Sequence, residues 1–211
     1  RVRAQLAGDL SYEVPAVKSK PPQLCNGCPH VFSFKPLVNL GCIVAGDIGC
    51  YTLAAMKPIS GMDMQICMGA SIGMGLGLRK VLPEAQARKV VSVIGDSTFM
   101  HSGLTGLLEM VYNPPPTGHV VVVVDNSTTA MTGQQEHPGT GRKLDHAVSI
   151  EDVAKAIGVQ NVAVFKPVTE GEKFQKYLEE KLATDELTLI ILRQPCLLAA
   201  AEIAKRKAAG K

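Results

Sequence analysis

The stretch Val90-Val91-Ser92-Val93-Ile94-Gly95-Asp96-Ser97 decides the fold: an apolar run breaks at a glycine and then offers a carboxylate. The next such run, Val120 to Val124, ends in Asp125-Asn126-Ser127-Thr128 in the same manner. Neither alternates apolar with polar residues, as strands buried on both faces should not. Outward from this pair, Cys42 to Ala45, Val162 to Phe165 and Leu187 to Leu192 repeat the pattern, bounded by Gly, Asp or Pro. Helix-like segments lie between them: Gln65 to Val81, Phe99 to Tyr112, Ile150 to Ile157 and Glu170 to Leu182. Strand alternating with helix predicts an α/β fold, a doubly wound, mostly parallel sheet with helices on both faces.

Two helices carry start signals, since Ser149 precedes Asp152 and Thr169 precedes Glu172 at the spacing of a capping box. Pro114-Pro115-Pro116 forces a stiff turn before the third strand, and Thr132 to Asp145 reads as a loop. Pro21-Pro22 separates a polar arm, residues 1–21, from a main domain at 22–198, and a polar tail occupies 199–211.

The 211 residues, 46% of them hydrophobic, suffice for one large domain with its own core. Lysine plus arginine number 22 against 19 acidic residues, a net charge of +3 whose excess lies largely in Lys205-Arg206-Lys207, so no nucleic-acid footprint is expected. No apolar run is long enough to span a membrane and no signal-like start is visible, so a cytoplasmic protein is expected. The chain begins without methionine and ends polar, which suggests a segment or subunit of something larger.

In doubly wound sheets ligands bind beyond the carboxyl ends of the strands, where helix N-termini offer backbone donors to anions. Gly95 permits close backbone approach and Asp96 supplies a hard carboxylate oxygen there; Asn126 adds an amide oxygen at the next strand end. Mg²⁺ takes such oxygens together with phosphate and water. Read alone, Gly-Asp and Asp-Asn also fit ordinary strand-end turns.

Of six cysteines, Cys25 and Cys28 form a Cys-x-x-Cys pair in Cys25-Asn26-Gly27-Cys28-Pro29-His30. Zinc, a dithiol switch and an iron-sulfur cluster all suit such a pair. Cys50, in Gly46-Asp47-Ile48-Gly49-Cys50, and Cys196, after Arg193-Gln194-Pro195, both follow buried strands and are expected at the ligand-binding edge. Cys42 and Cys67 sit in apolar surroundings and read as buried thiols.

Gly95-Asp96-Ser97 followed by Asp125-Asn126 resembles the thiamine diphosphate motif of enzymes that decarboxylate 2-oxo acids. The resemblance implies thiamine diphosphate and Mg²⁺ as cofactors, with Asp96, Asn126 and the carbonyl of Thr128 on the metal. Gly95, Ser97, Asp47, Gly49 and Thr132 are then expected at the cofactor. Cys67-Met68-Gly69-Ala70-Ser71-Ile72-Gly73-Met74-Gly75 resembles the family's helix start that wedges the cofactor, which makes Met68 the wedge. The order of Cys25, Cys28, Cys50 and Cys196 resembles the 2-oxo acid ferredoxin oxidoreductases and implies that these four hold a 4Fe-4S cluster.

Within that superfamily the runs Gly46 to Leu53, Cys67 to Met74, Gly95-Asp96-Ser97-Thr98-Phe99 with His101-Ser102-Gly103, and Asn126 to Gly133 resemble the alpha subunits of indolepyruvate ferredoxin oxidoreductases. The implied reaction is oxidative decarboxylation of an arylpyruvate, with electrons passing through the cluster to ferredoxin and the acyl group to coenzyme A. The implied partners are a domain or subunit bearing the pyrimidine-binding half and the activating glutamate, and a ferredoxin or ferredoxin-like domain, in a hetero-oligomer. His101, just inside the helix after Asp96, and His30, after Cys28-Pro29, are candidates for proton transfer. His119, His137 and His146 read as loop residues. The loop Thr128 to Gln135 offers hydroxyl and amide groups beside the metal. Pyruvate or 2-oxoglutarate ferredoxin oxidoreductases, a non-oxidative decarboxylase or carboligase, and a zinc or dithiol interaction subunit are the rival readings.

Overall fold

A computed structural model describes residues 22–141 and 147–201, so the expected arm at 1–21, His146 and most of the tail lie outside the described residues. Five strands, β1 (Ile43–Ala45), β2 (Val90–Gly95), β3 (His119–Asp125), β4 (Asn161–Phe165) and β5 (Leu187–Arg193), form one sheet in the order β1-β2-β3-β5-β4. Every neighbouring pair is parallel. The helices are α1 (Pro29–Asn39), α2 (Ala70–Val81), α3 (Glu84–Ala87), α4 (Leu104–Tyr112), α5 (Ile150–Ile157) and α6 (Gly171–Leu182).

The continuous valine run of β3 is buried along its whole length because both its faces are covered. Val120, Val122 and Val124 enter one core with Phe34 and Leu37 of α1 and Phe174 and Leu178 of α6. Val121 and Val123 enter the other with Ile72 of α2, Leu107 and Met110 of α4 and Ile150 of α5. Each such side chain contributes about 1.5–3 kcal/mol of transfer free energy, so the central strand fixes both layers at once. The doubly wound reading holds.

All five predicted strands and four predicted helices are present, with differences that have local causes. The helix expected from Gln65 starts only at Ala70, because Gly69 turns the chain at φ +91°, where a Cβ would lie 2.4 Å from the Ser102 hydroxyl. Ser149 caps α5 as expected, its hydroxyl accepting the Asp152 N–H at 3.1 Å. Thr169 does not cap α6: the N-cap is Glu170, whose carboxylate turns back to accept the Lys166 N–H at 2.9 Å. Helix α1 was not foreseen; Pro29 opens it, a position that needs no N–H, but Pro36 within it disguises the pattern.

His119 is not a loop residue. It is the first residue of β3, fully buried, with Nε2 2.8 Å from the Ser92 hydroxyl. Ser92 donates to the carbonyl of Ser71 at 2.8 Å, so it accepts from His119 and leaves the ring proton on Nε2. Gly75 makes room for this pair; a Cβ there would stand 2.1 Å from the Ser92 oxygen.

Candidate functional site

The turns that follow β1, β2, β3 and β5 converge at one edge of the sheet, where parallel strands all present their carboxyl ends. Asp96 begins the helical turn after β2, which continues through a π-helical turn (Phe99–Gly103) into α4. Asn126 follows β3, and Ser127 takes φ +61°, a left-handed conformation that tightens the turn and brings Thr128 back to the same side.

Asp96, Asn126 and Thr128 wall a cleft together with Gly49, Met68, Gly95, Ser97, Thr129 and Thr132. Asp96 is 3% exposed. Its Oδ1 accepts the Ser97 N–H at 2.9 Å, and its Oδ2 accepts the Ser127 N–H at 2.8 Å and the His137 Nε2–H at 3.1 Å. Burial pushes its carboxyl above the usual carboxylate range, the His137 hydrogen bond opposes this, and the charge of nearby Asp125 adds to the rise. Asn126 accepts the Thr128 N–H on Oδ1 at 3.2 Å. Thr129 donates to the Ser97 hydroxyl at 2.7 Å, and Thr129 pairs with Gln135 through two backbone hydrogen bonds, folding the loop over the cleft. The Thr132 hydroxyl bonds the Gln135 side chain.

No lysine or arginine is among the described residues that wall this cleft. A diphosphate entering beside Asp96 would meet a like charge unless a divalent cation stood between them. The donor set suits that ion: carboxylate, amide and hydroxyl or carbonyl oxygens are the hard ligands Mg²⁺ takes.

Tyr51 sets the shape of the cleft from behind. Its ring lies against Gly49 and Gly95, where added Cβ atoms would approach within 2.5 and 2.7 Å, so both glycines of the motifs are explained by one aromatic ring. Asp47, expected at the cofactor, instead has its fully buried carboxylate accepting backbone N–H groups of Ile48, Gly69 and Ser71. Asp47 therefore braces the start of α2, and through it Met68, rather than facing the cleft. Met68 is half exposed at the cleft wall.

Next to the cleft, a cavity of about 260 Å³ is walled by all four predicted cluster cysteines, Cys25, Cys28, Cys50 and Cys196, with Leu24, Leu53 and other apolar side chains. Cys28 is the N-cap of α1, and Cys50 opens a 3₁₀ turn (Cys50–Ala55) whose Thr52 accepts the Gly49 N–H and donates to the Asp47 carbonyl. Cys196 N–H donates to the Asn126 carbonyl at 2.9 Å, tying it to the neighbouring cleft. Burial pushes the Cys28 and Cys50 thiols up. Among the described residues, no three His, Cys, Asp or Glu side chains are grouped to hold a single ion. Of the other two cysteines, Cys42 packs half-buried against the core, whereas Cys67, expected to be buried, is exposed beside Met68 because the helix begins only after it.

His30 also walls the cysteine cavity. It is 3% exposed, its ring meets Tyr51 edge-on at 5.9 Å, and Nε2 lies 3.3 Å from Asn126 Nδ2, so the ring accepts from the amide. Burial lowers its pKa to about 4. His101 is exposed on the π-helical turn and walls neither the cleft nor the cavity, so within this domain it does not face the cofactor residues.

Three residues that hold the site were not singled out from sequence. His137 reaches Asp96 from a loop; Tyr51 packs on two glycines; Arg193 donates to Asp125 at 2.6 Å and to both Glu151 oxygens at 2.7 and 3.0 Å. Arg193 neutralises Asp125 and ties the ends of β3 and β5 to the first turn of α5.

Residues 47–192 match the family described as thiamine pyrophosphate enzyme, C-terminal TPP binding domain, and the chain belongs to that family. More particularly, the chain is similar to indolepyruvate oxidoreductase subunit IorA of Archaeoglobus fulgidus, with 44% identity over 188 residues, 85% of this chain and 29% of that protein. IorA of Thermococcus kodakarensis is 37% identical over 198 residues, 86% of this chain and 30% of that protein. The chain thus spans under a third of the length of these relatives. Its fold matches a solved 2-oxoglutarate:ferredoxin oxidoreductase from Magnetococcus marinus, TM-score 0.63 at 14% identity, over 88% of this chain and 66% of that one.

Proposed function

We propose that this chain is the thiamine diphosphate and Mg²⁺ binding part of a 2-oxo acid:ferredoxin oxidoreductase of the indolepyruvate type. The observation that carries the proposal is the shared wall: Cys50, Asn126, Ala130 and Met131 line both the oxygen-rich cleft and the four-cysteine cavity. A cleft for a metal diphosphate directly abutting a thiol cavity suits an oxidative enzyme, whereas a non-oxidative decarboxylase has no use for the second.

Asp96, Asn126 and the carbonyl of Thr128 would hold the metal, with Gly49, Gly95, Ser97 and Thr132 beside the diphosphate and Met68 as the apolar wedge. Thiamine diphosphate, when bound, supplies the carbanion chemistry that lets a 2-oxo acid lose CO₂. His30 accepts from Asn126 and keeps that amide oriented. Cys25, Cys28, Cys50 and Cys196 would hold a 4Fe-4S cluster. Soft thiolates in an apolar shell are the surroundings such clusters take. A 260 Å³ cavity exceeds what one ion fills, given about 30 Å³ for a water molecule. The domain or subunit with the pyrimidine half and activating glutamate, ferredoxin and coenzyme A complete the reaction, in a hetero-oligomer. Six free cysteines fit a reducing, cytoplasmic setting.

The test is anaerobic purification of the complete assembly, followed by ferredoxin reduction with indolepyruvate and coenzyme A. Brown protein that releases CO₂ and reduces ferredoxin only when both substrates are present supports the proposal. Colourless protein, or CO₂ release without ferredoxin reduction, contradicts it.

A further inference from the structure

We infer that His137 is a positioning residue for Asp96: from the loop that closes the cleft, one ring N–H fixes the orientation in which the carboxylate meets a divalent cation. This rests on the proposed metal role of Asp96. The two side chains are 5% and 4% exposed, and Nε2 to Oδ2 is 3.1 Å.

The ring is fixed from its other side as well. Nδ1 accepts the Gly139 N–H at 3.2 Å, so the ring proton is on Nε2 and points at Asp96. The His137 carbonyl accepts the Thr140 N–H at 2.9 Å and its hydroxyl at 2.8 Å, heading a short 3₁₀ turn (Pro138–Thr140). Pro138 in turn accepts the Val148 N–H at 3.0 Å, which anchors the turn ahead of α5.

A carboxylate has a broad torsion about its last bond. The Ser97 and Ser127 amides hold Asp96 through backbone at the two strand ends, and His137 adds a side-chain donor from a separate element. The Ser127 N–H is shared with Asp125 Oδ1 at 3.0 Å, whose other carboxylate oxygen Arg193 holds at 2.6 Å. Removing such a partner from a metal-binding carboxylate leaves the ion to impose the orientation itself, and outer partners of this kind are worth about 10–100-fold in metal affinity.

Two conservative variants separate this role from a merely structural one. In His137→Asn the side-chain oxygen can still accept the Gly139 N–H but stops short of Asp96; in His137→Gln the amide nitrogen reaches toward Asp96. In the complete, chelator-stripped assembly, Mg²⁺ is titrated by calorimetry at saturating thiamine diphosphate, and exchange of the Gly139 amide reports the turn. We expect Mg²⁺ affinity about 10–100-fold weaker in His137→Asn with Gly139 protection kept, and near wild type in His137→Gln. Wild-type affinity in His137→Asn, equal weakening in both variants, or weakening only with loss of Gly139 protection overturns the inference. Asp96→Ala serves as the control: if it too binds Mg²⁺ normally, the metal role of Asp96 fails; if it loses Mg²⁺ while His137→Asn does not, the inference about His137 alone fails.

Discussion

The oxygen-rich cleft and the four-cysteine cavity lie side by side at one sheet edge and are built on opposite principles. In the cleft the acceptor oxygens are already oriented: Asp96 by two amides and His137, Asn126 by the Thr128 amide and His30. In the cavity the thiols stand among leucines, and burial holds those of Cys28 and Cys50 in the protonated form. A small hard cation needs fixed oxygens and keeps part of its water shell. Thiolate-bound iron needs soft ligands that lose their protons only as metal arrives. On the proposed reading one strand-end scaffold serves two chemistries: hydrogen bonds orient the oxygens of one pocket, and apolar side chains surround the thiols of the other.

The largest effect should break the comparison at the cavity alone. Cys196→Ala is expected to abolish the brown colour of anaerobically purified assembly while leaving Mg²⁺-dependent thiamine diphosphate binding in place. Joint loss would contradict the separation of the two pockets.

His30, on the cavity wall beside Asn126, sharpens the comparison through pH. Its ring stays neutral in the fold down to about pH 4, whereas in the unfolded chain it takes up a proton near its ordinary value of 6.5. Stability is therefore full above pH 6.5 and is lost as pH falls toward 4, by roughly 3 kcal/mol from this group. Urea unfolding of the metal-free protein across that range should show the slope, and His30→Asn should make it shallower, leaving the part that fully buried His119 contributes. An equal slope in the variant would assign the acid loss elsewhere.

The smallest effect is a control outside both pockets. Ser149→Ala removes the cap of α5 and should lower stability by about 1 kcal/mol, read from the urea midpoint, with colour and Mg²⁺ affinity unchanged. A change in Mg²⁺ affinity would show that Glu151 and Arg193 carry strain from α5 into the strand ends.

The strands were legible because burial on both faces writes itself as unbroken valine and isoleucine runs, and α5 because Ser149 caps it. The positions of Asp96, Asn126, Cys50 and Cys196 followed from where those runs stop, and Cys25 and Cys28 from their Cys-x-x-Cys spacing. What sequence did not disclose depends on contacts between distant segments. His137 lies 41 residues from Asp96 along the chain, in a polar loop with no periodicity to mark its direction. Asp47 looked like a cofactor contact because its motif sits at a strand end, yet three backbone amides claim its carboxylate. His101 occupies a helix start by sequence, but the π-helical turn leaves it exposed. Motif position fixes which residues reach the edge; only packing decides which of them face inward.

The most direct test of the account is calorimetric titration of thiamine diphosphate into the complete assembly, with and without Mg²⁺, for the wild type and Asp96→Ala. The account predicts tight, Mg²⁺-dependent binding in the wild type and no detectable Mg²⁺-dependent binding in the variant. Equal affinity in both would contradict it.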